Sequence, residues 1–126
     1  MRLFIFIFIF MLISFGEHTV LGMDSDKLQT QKEMNEIAKK EFDKANNELN
    51  ELYDLLIKYL NAESKKKLIS AEKAWIKYRD AHCEAVTYNY QGGSAFYLIK
   101  YSCLREITEQ RVNVLKSAYQ EKLPKQ

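Results

Sequence analysis

The stretch AKKEFDKANNELNELYDLLIKY, Ala38 to Tyr59, decides the fold. Its apolar positions are Ala38, Phe42, Ala45, Leu49, Leu52, Leu56 and Tyr59, separated alternately by four and three residues. That is the period of one face of an α-helix, on which residues three and four apart lie above one another. Charged and amide side chains occupy the positions between, as on a solvated face. Just upstream, Thr30-Gln31-Lys32-Glu33 has the form of a capping box. The threonine hydroxyl can accept a backbone N–H while the glutamate reaches back to the cap. The spacing predicts a helix over Gln31–Leu60, with a frayed turn at Ser25–Leu28 before it.

Toward the C-terminus the segment Asn61-Ala62-Glu63-Ser64 interrupts the pattern, and Asn61 or Ser64 suits the cap of a second helix. That helix carries the stripe Leu68, Ala71, Trp75, Tyr78, His82 and Ala85, and fades near Tyr88 before Gly92-Gly93. Ser94 is an N-cap candidate for a third, with the stripe Phe96, Ile99, Cys103, Ile107, Arg111, Val114 and Ala118. From residue 23 onward the only glycines are Gly92 and Gly93 and the only proline is Pro124. Tight sheet turns draw heavily on such residues, so the chain has little material for hairpins. The expectation is an all-α fold: a small antiparallel bundle of three helices, or four if the Ser25–Leu28 turn counts, forming one domain over residues 23–126.

Residues 1–22 read as a signal peptide. Arg2 supplies a positive start, Leu3 to Phe15 form a strongly apolar run, and Val20-Leu21-Gly22 offers tolerated residues before a cut at Met23. The run is short for a membrane span, which needs about 20 apolar residues. No cysteine follows the cut to take a lipid. A periplasmic or secreted protein with no stable membrane anchor is expected. With 19 basic and 17 acidic residues in 126, the formal charge of +2 is too balanced for a nucleic-acid binder.

Cys83 and Cys103 lie equally far before and after Gly93. In a helical hairpin bent at Gly92-Gly93 such positions face each other, within the Cα separation of about 4.4–6.8 Å that a disulfide needs. An oxidising compartment would close the pair, bridging the last two long helices. The alternative is two free, buried thiols, which a thiol titration without reductant would count.

The sequence holds no nucleophile elbow, phosphate loop or dinucleotide fingerprint. A zinc site needs several cysteine or histidine ligands, and His82 with two cysteines facing a bridge does not supply them. No cofactor, metal or catalytic residue is expected. His82 falls on a core stripe and reads as a partly buried structural histidine. Trp75 and Arg79 share a helical face, where indole and guanidinium can stack. Arg111 falls on the third stripe, placed to reach a carboxylate or helix-end carbonyls inside the bundle. Structural roles are expected for Trp75, Arg79 and Arg111.

The segment Tyr88 to Tyr97, YNYQGGSAFY, has the tyrosine, amide and glycine composition of a recognition loop. Its other reading is an ordinary connection whose aromatic residues cap the core.

Four segments taken together resemble the LprI-type lysozyme inhibitor family. They are Leu49-Asn50 with Tyr53; Trp75-Ile76 with Tyr78-Arg79-Asp80 and Cys83; Gly92-Gly93-Ser94; and Cys103 with Thr108, Arg111 and Leu115. The resemblance runs from Gln31 to Leu115 and implies a small helical, secreted or lipid-anchored bacterial domain with paired cysteines. Relatives with a further cysteine pair near the N-terminus have no counterpart in Met34–Ala38. The implied function is that of an exported, non-enzymatic binding protein whose partner is lysozyme or another peptidoglycan hydrolase. Such an enzyme cuts with two carboxylates flanking the scissile bond. Tyr88, Tyr90, Gln91 and Ser94 are the candidates to enter that cleft. The alternative is a general envelope protein–protein interaction module using a helix face.

Overall fold

The capping box at Thr30 sets the start of the first helix. In the computed structural model, which describes residues 30–124, the Glu33 backbone N–H donates to Thr30 Oγ1 at 3.2 Å and the Thr30 N–H donates to Glu33 Oε2 at 2.8 Å. Helix α1 then runs Gln31–Tyr59 and stops at Leu60, whose backbone is extended. Asn61, rather than Ser64, caps the next helix, its Oδ1 accepting the Ser64 N–H at 2.9 Å. Helix α2 spans Ala62–Thr87, a 3₁₀ turn follows at Tyr88–Tyr90, and helix α3 spans Phe96–Ala118. A short 3₁₀ turn at Gln120–Lys122 leads to the end. Among the described residues there are three α-helices and no strand. The leader at residues 1–22 and the turn at Ser25–Leu28 lie outside them.

The three helices run up, down and up. Asn35, Glu41 and Glu48 on α1 meet Ser94 just before α3 and Arg105 and Lys116 on it in the same order, so these two helices are parallel. Helix α2 runs against both: Arg79 reaches Asn46, and Glu72 reaches Arg111. The stripe on α1 is its buried face through Leu56, except that Phe42 is half-buried, and Leu60 replaces Tyr59, which is exposed, at its end. Leu49, Leu52, Leu56 and Leu60 join Leu68, Val112 and Leu115 in one apolar cluster.

The inward faces of α2 and α3 differ from the expected stripes. On α2 the buried positions are Leu68, Glu72, Cys83 and Thr87, whereas Ala71, Tyr78 and Ala85 face solvent. On α3 they are Leu104, Thr108, Val112 and Leu115, whereas Val114 and Ala118 face solvent. Polar residues misdirect the periodicity. Thr87 Oγ1 donates to the Cys83 carbonyl and Thr108 Oγ1 to the Leu104 carbonyl, each at 2.7 Å. A threonine satisfied by its own helix sits in a core without a partner elsewhere. Helix α3 also faces two neighbours. Cys103 and Arg111, on the expected stripe, form the edge that meets α2. Ser94 does not cap α3: the cap position is Ala95, with no side-chain hydrogen bond, because Gln91–Ala95 is spent reversing the chain.

Candidate functional site

The reversal between α2 and α3 forms a tip. Cys83 and Cys103 are bridged below it, with Cα atoms 5.7 Å apart. In the chain-entropy model a bridge closing a loop of about 20 residues stabilises by ~3 kcal/mol. Above the bridge, Gly92 has φ +79°, in the left-handed region that favours glycine. A Cβ on Gly93 would stand 3.2 Å from the Tyr90 carbonyl oxygen. The turn closes on itself through Gly93 N–H to the Tyr90 carbonyl at 3.0 Å and Phe96 N–H to the Gly93 carbonyl at 3.2 Å. Asn35 Nδ2 donates to the Ser94 carbonyl at 3.3 Å, tying the start of α1 to the same end.

Four sequence-chosen residues, Tyr88, Tyr90, Gln91 and Ser94, all lie exposed on this tip. Tyr88 is 69% and Tyr90 47% exposed, large values for aromatic rings in a segment held this tightly. Tyr97, also exposed, packs edge-on against Phe96, and Lys100 Nζ lies 5.8 Å from the Phe96 ring centre. Between Glu84 and Glu106 the chain carries no acidic residue, but it carries Lys100 and Arg105. The tip therefore offers phenol and amide donors on a locally carboxylate-free stretch.

The residues expected to be structural meet in a different place, between the helices. The Arg79 guanidinium carbon lies 5.2 Å from the Trp75 ring centre and 5.6 Å from that of Phe42 on α1. The Arg111 guanidinium lies 5.7 Å from Trp75. Arg111 donates to Glu72 Oε2 from Nη2 at 3.0 Å and from Nε at 3.2 Å, and Arg79 pairs with Asp80 and with Asn46 Oδ1. The result is a ladder of rings and guanidinium planes crossing all three helices. His82 is half-buried, its ring 5.7 Å from that of Tyr78.

Sequence reasoning missed Glu72. It sits four residues after Leu68 and three before Trp75, on the inward line of α2. An acidic residue in register with Trp75 and Arg79, facing an arginine on another helix's stripe, was the available signal. Beside the ladder Tyr53 is half-buried, and its hydroxyl pKa is raised by burial first, then by the nearby Glu72 and Asp54 carboxylates. Among the described residues there is no group of three histidine, cysteine or acidic side chains placed to hold a metal ion. No helix among them is long and apolar enough to cross a membrane.

The family model described as "Lysozyme inhibitor LprI" matches residues 23–115. The chain belongs to the LprI family. A relative in Rhizobium meliloti (strain 1021), named only as an uncharacterized protein, is 31% identical over 106 residues, covering 74% of this chain and 76% of its own. No solved structure matches the chain. The LprI match takes in both the bridged tip and the ring–guanidinium ladder.

Proposed function

We propose that this LprI protein is an exported, non-enzymatic inhibitor that blocks a peptidoglycan-cleaving hydrolase by seating the Tyr88–Ser94 tip in its substrate cleft. The observation that carries the reading is the tip itself: exposed tyrosines on a disulfide-braced turn, in a stretch free of acidic side chains. A cleft that hydrolyses glycans presents two carboxylates. A tip without carboxylates avoids like-charge repulsion there, while its tyrosine and amide groups can donate to those carboxylates and its rings can occupy sugar subsites. Bracing lowers the ordering cost of binding, since a turn already held in one conformation loses little freedom. The overall charge of +2 gives no long-range attraction toward a basic lysozyme, so the association is expected to be unsteered and only weakly sensitive to salt. The signal-like leader read at residues 1–22 and the bridge support a periplasmic or secreted site of action.

The test is a peptidoglycan-clearing assay with c-type lysozyme and the protein purified after export. Inhibition at or below tens of micromolar (about −6 to −7 kcal/mol of binding) is expected. Tyr90→Ala with Ser94→Ala should remove that inhibition while the helical circular-dichroism spectrum stays unchanged. A folded wild-type protein that leaves lysozyme uninhibited rejects the reading for that enzyme class. Inhibition that survives the double substitution moves the contact to a helix face, as in an envelope interaction module.

A further inference from the structure

The ladder borders a groove of about 400 Å³ between α1 and α2. Leu49 and Trp75 line it, Asn46, Asn50 and Tyr53 stand along its α1 wall, and Ile69, Ile76 and Lys73 open it to solvent on α2. Ligand sites are typically clefts of roughly 300–1,000 Å³, mostly apolar, with a few placed polar groups, and this groove has that make-up.

Two features of the groove select a ligand class. Its strong charges are already matched: Glu72 with Arg111, and Arg79 with Asp80, each pair 2.9–3.0 Å apart. Only Lys73 is left over on the rim, so a neutral ligand loses least on entry. The second feature is the division of surfaces. One side is ring and aliphatic surface, from Trp75, Ile69 and Ile76; the other is a row of side-chain amides and a phenol from Asn46, Asn50 and Tyr53. Of these, Asn46 is engaged by Arg79, while the Asn50 amide and Tyr53 hydroxyl make no hydrogen bond among the described residues. A tyrosine phenol is protonated at neutral pH, so the Tyr53 hydroxyl is free to donate. A molecule with an apolar face and hydroxyl groups around its edge complements such a groove. We propose that the α1–α2 groove binds a neutral saccharide ring, packed against the Trp75 side and hydrogen-bonded along its edge by Asn50 and Tyr53. This site is separate from the tip and does not depend on the tip's action on a hydrolase.

Trp75 is the sole tryptophan, so its emission reports on the groove directly. The full protein, purified after export, is titrated with chitotriose and with cellotriose to about 20 mM, a range that captures millimolar dissociation constants. Glycerol at matched mass concentration controls for the solvent. A saturable emission change with either sugar and none with glycerol is expected, and a preference for chitotriose would assign the acetamido group as part of what is read. Asn50→Ala and Tyr53→Phe, each checked for unchanged helicity, should weaken binding about five-fold, the effect of one lost hydrogen bond. Asn89→Ala on the tip should leave it unchanged. No saturable change with either sugar overturns the proposal, as does binding that both groove variants leave intact. Lysozyme inhibition retained in the groove variants would show that the two sites stand or fall independently.

Discussion

The two flanks of α1 are built from different material. Toward α3 it presents Leu52 and Leu56, which cluster with Val112 and Leu115, with the buried Ala38 and Ala45 earlier on the same helix; the backbones approach closely along this seam. Toward α2 it presents Phe42, Asn46, Asn50 and Tyr53, which meet Glu72, Trp75 and Arg79. Long planar side chains hold that pair further apart and leave a groove. Small and aliphatic residues interdigitate to the density of an organic crystal, whereas stacked guanidinium and indole planes do not fill the same space. The difference teaches where stability is concentrated and where the molecule has surface to spare.

The sharpest way to break the comparison is to cut one residue from each flank. Leu56 is fully buried at the seam. Leu56→Ala should cost about 2–5 kcal/mol, from lost transfer energy and the cavity left behind. Asn50→Ala on the other flank should stay within about 0.5 kcal/mol, as surface substitutions do. Urea midpoints at constant slope measure both. Equal losses would mean that the groove flank carries as much of the fold as the seam does.

A second, smaller effect probes the ladder itself. Glu72 and Arg111 retain only 12% and 15% side-chain exposure, so each is poorly placed to find water if its partner is removed. Glu72→Ala should destabilise by about 2–3 kcal/mol, somewhat below the range for fully buried pairs because some exposure remains. Replacing both, as Glu72→Leu with Arg111→Leu, should recover most of that loss, since the cost lies mainly in the stranded charge. If the double variant is no better than the single one, the pair holds the flank through its geometry rather than through mutual charge compensation.

What was legible in the sequence follows the same division. The α1 stripe, the capping box at Thr30 and the break at Asn61 were readable because each depends on local spacing and on one side chain serving its own backbone. The Cys83–Cys103 bridge was readable because a hairpin centred on two glycines makes equidistant positions neighbours. The inward faces of α2 and α3 were not. Apolar periodicity has no means of ranking Glu72 above Ala71, or Thr108 above Ile107, when burial is secured by an arginine 39 residues away or by a hydroxyl bonding its own helix. The groove was illegible for the same reason: Asn50 and Tyr53 lie among the residues of the family resemblance, but their place beside Glu72 depends on the inward face of α2 that apolar periodicity does not rank.

The smallest effect tests whether the α1–α2 flank is dry enough to matter. The Tyr53 hydroxyl ionises at a higher pH in the folded protein than in the unfolded chain, because burial disfavours the phenolate and Glu72 and Asp54 repel it. Between the two values the unfolded chain releases this proton and the folded one keeps it. The unfolded state then binds fewer protons, and stability must fall as pH rises. The contribution of Tyr53 is therefore complete below about pH 10 and is lost as pH climbs through the raised folded value. Tyr53→Phe removes the titrating group and keeps the ring, so its urea midpoint should decline less steeply than that of the wild type above pH 10, with the two curves parallel below it. Other tyrosines and the lysines titrate in the same range, but they are common to both proteins and cancel in the difference. Curves that stay parallel throughout would show the hydroxyl to be as wet as in the unfolded chain, and the α1–α2 flank to be open to water where the seam is dry.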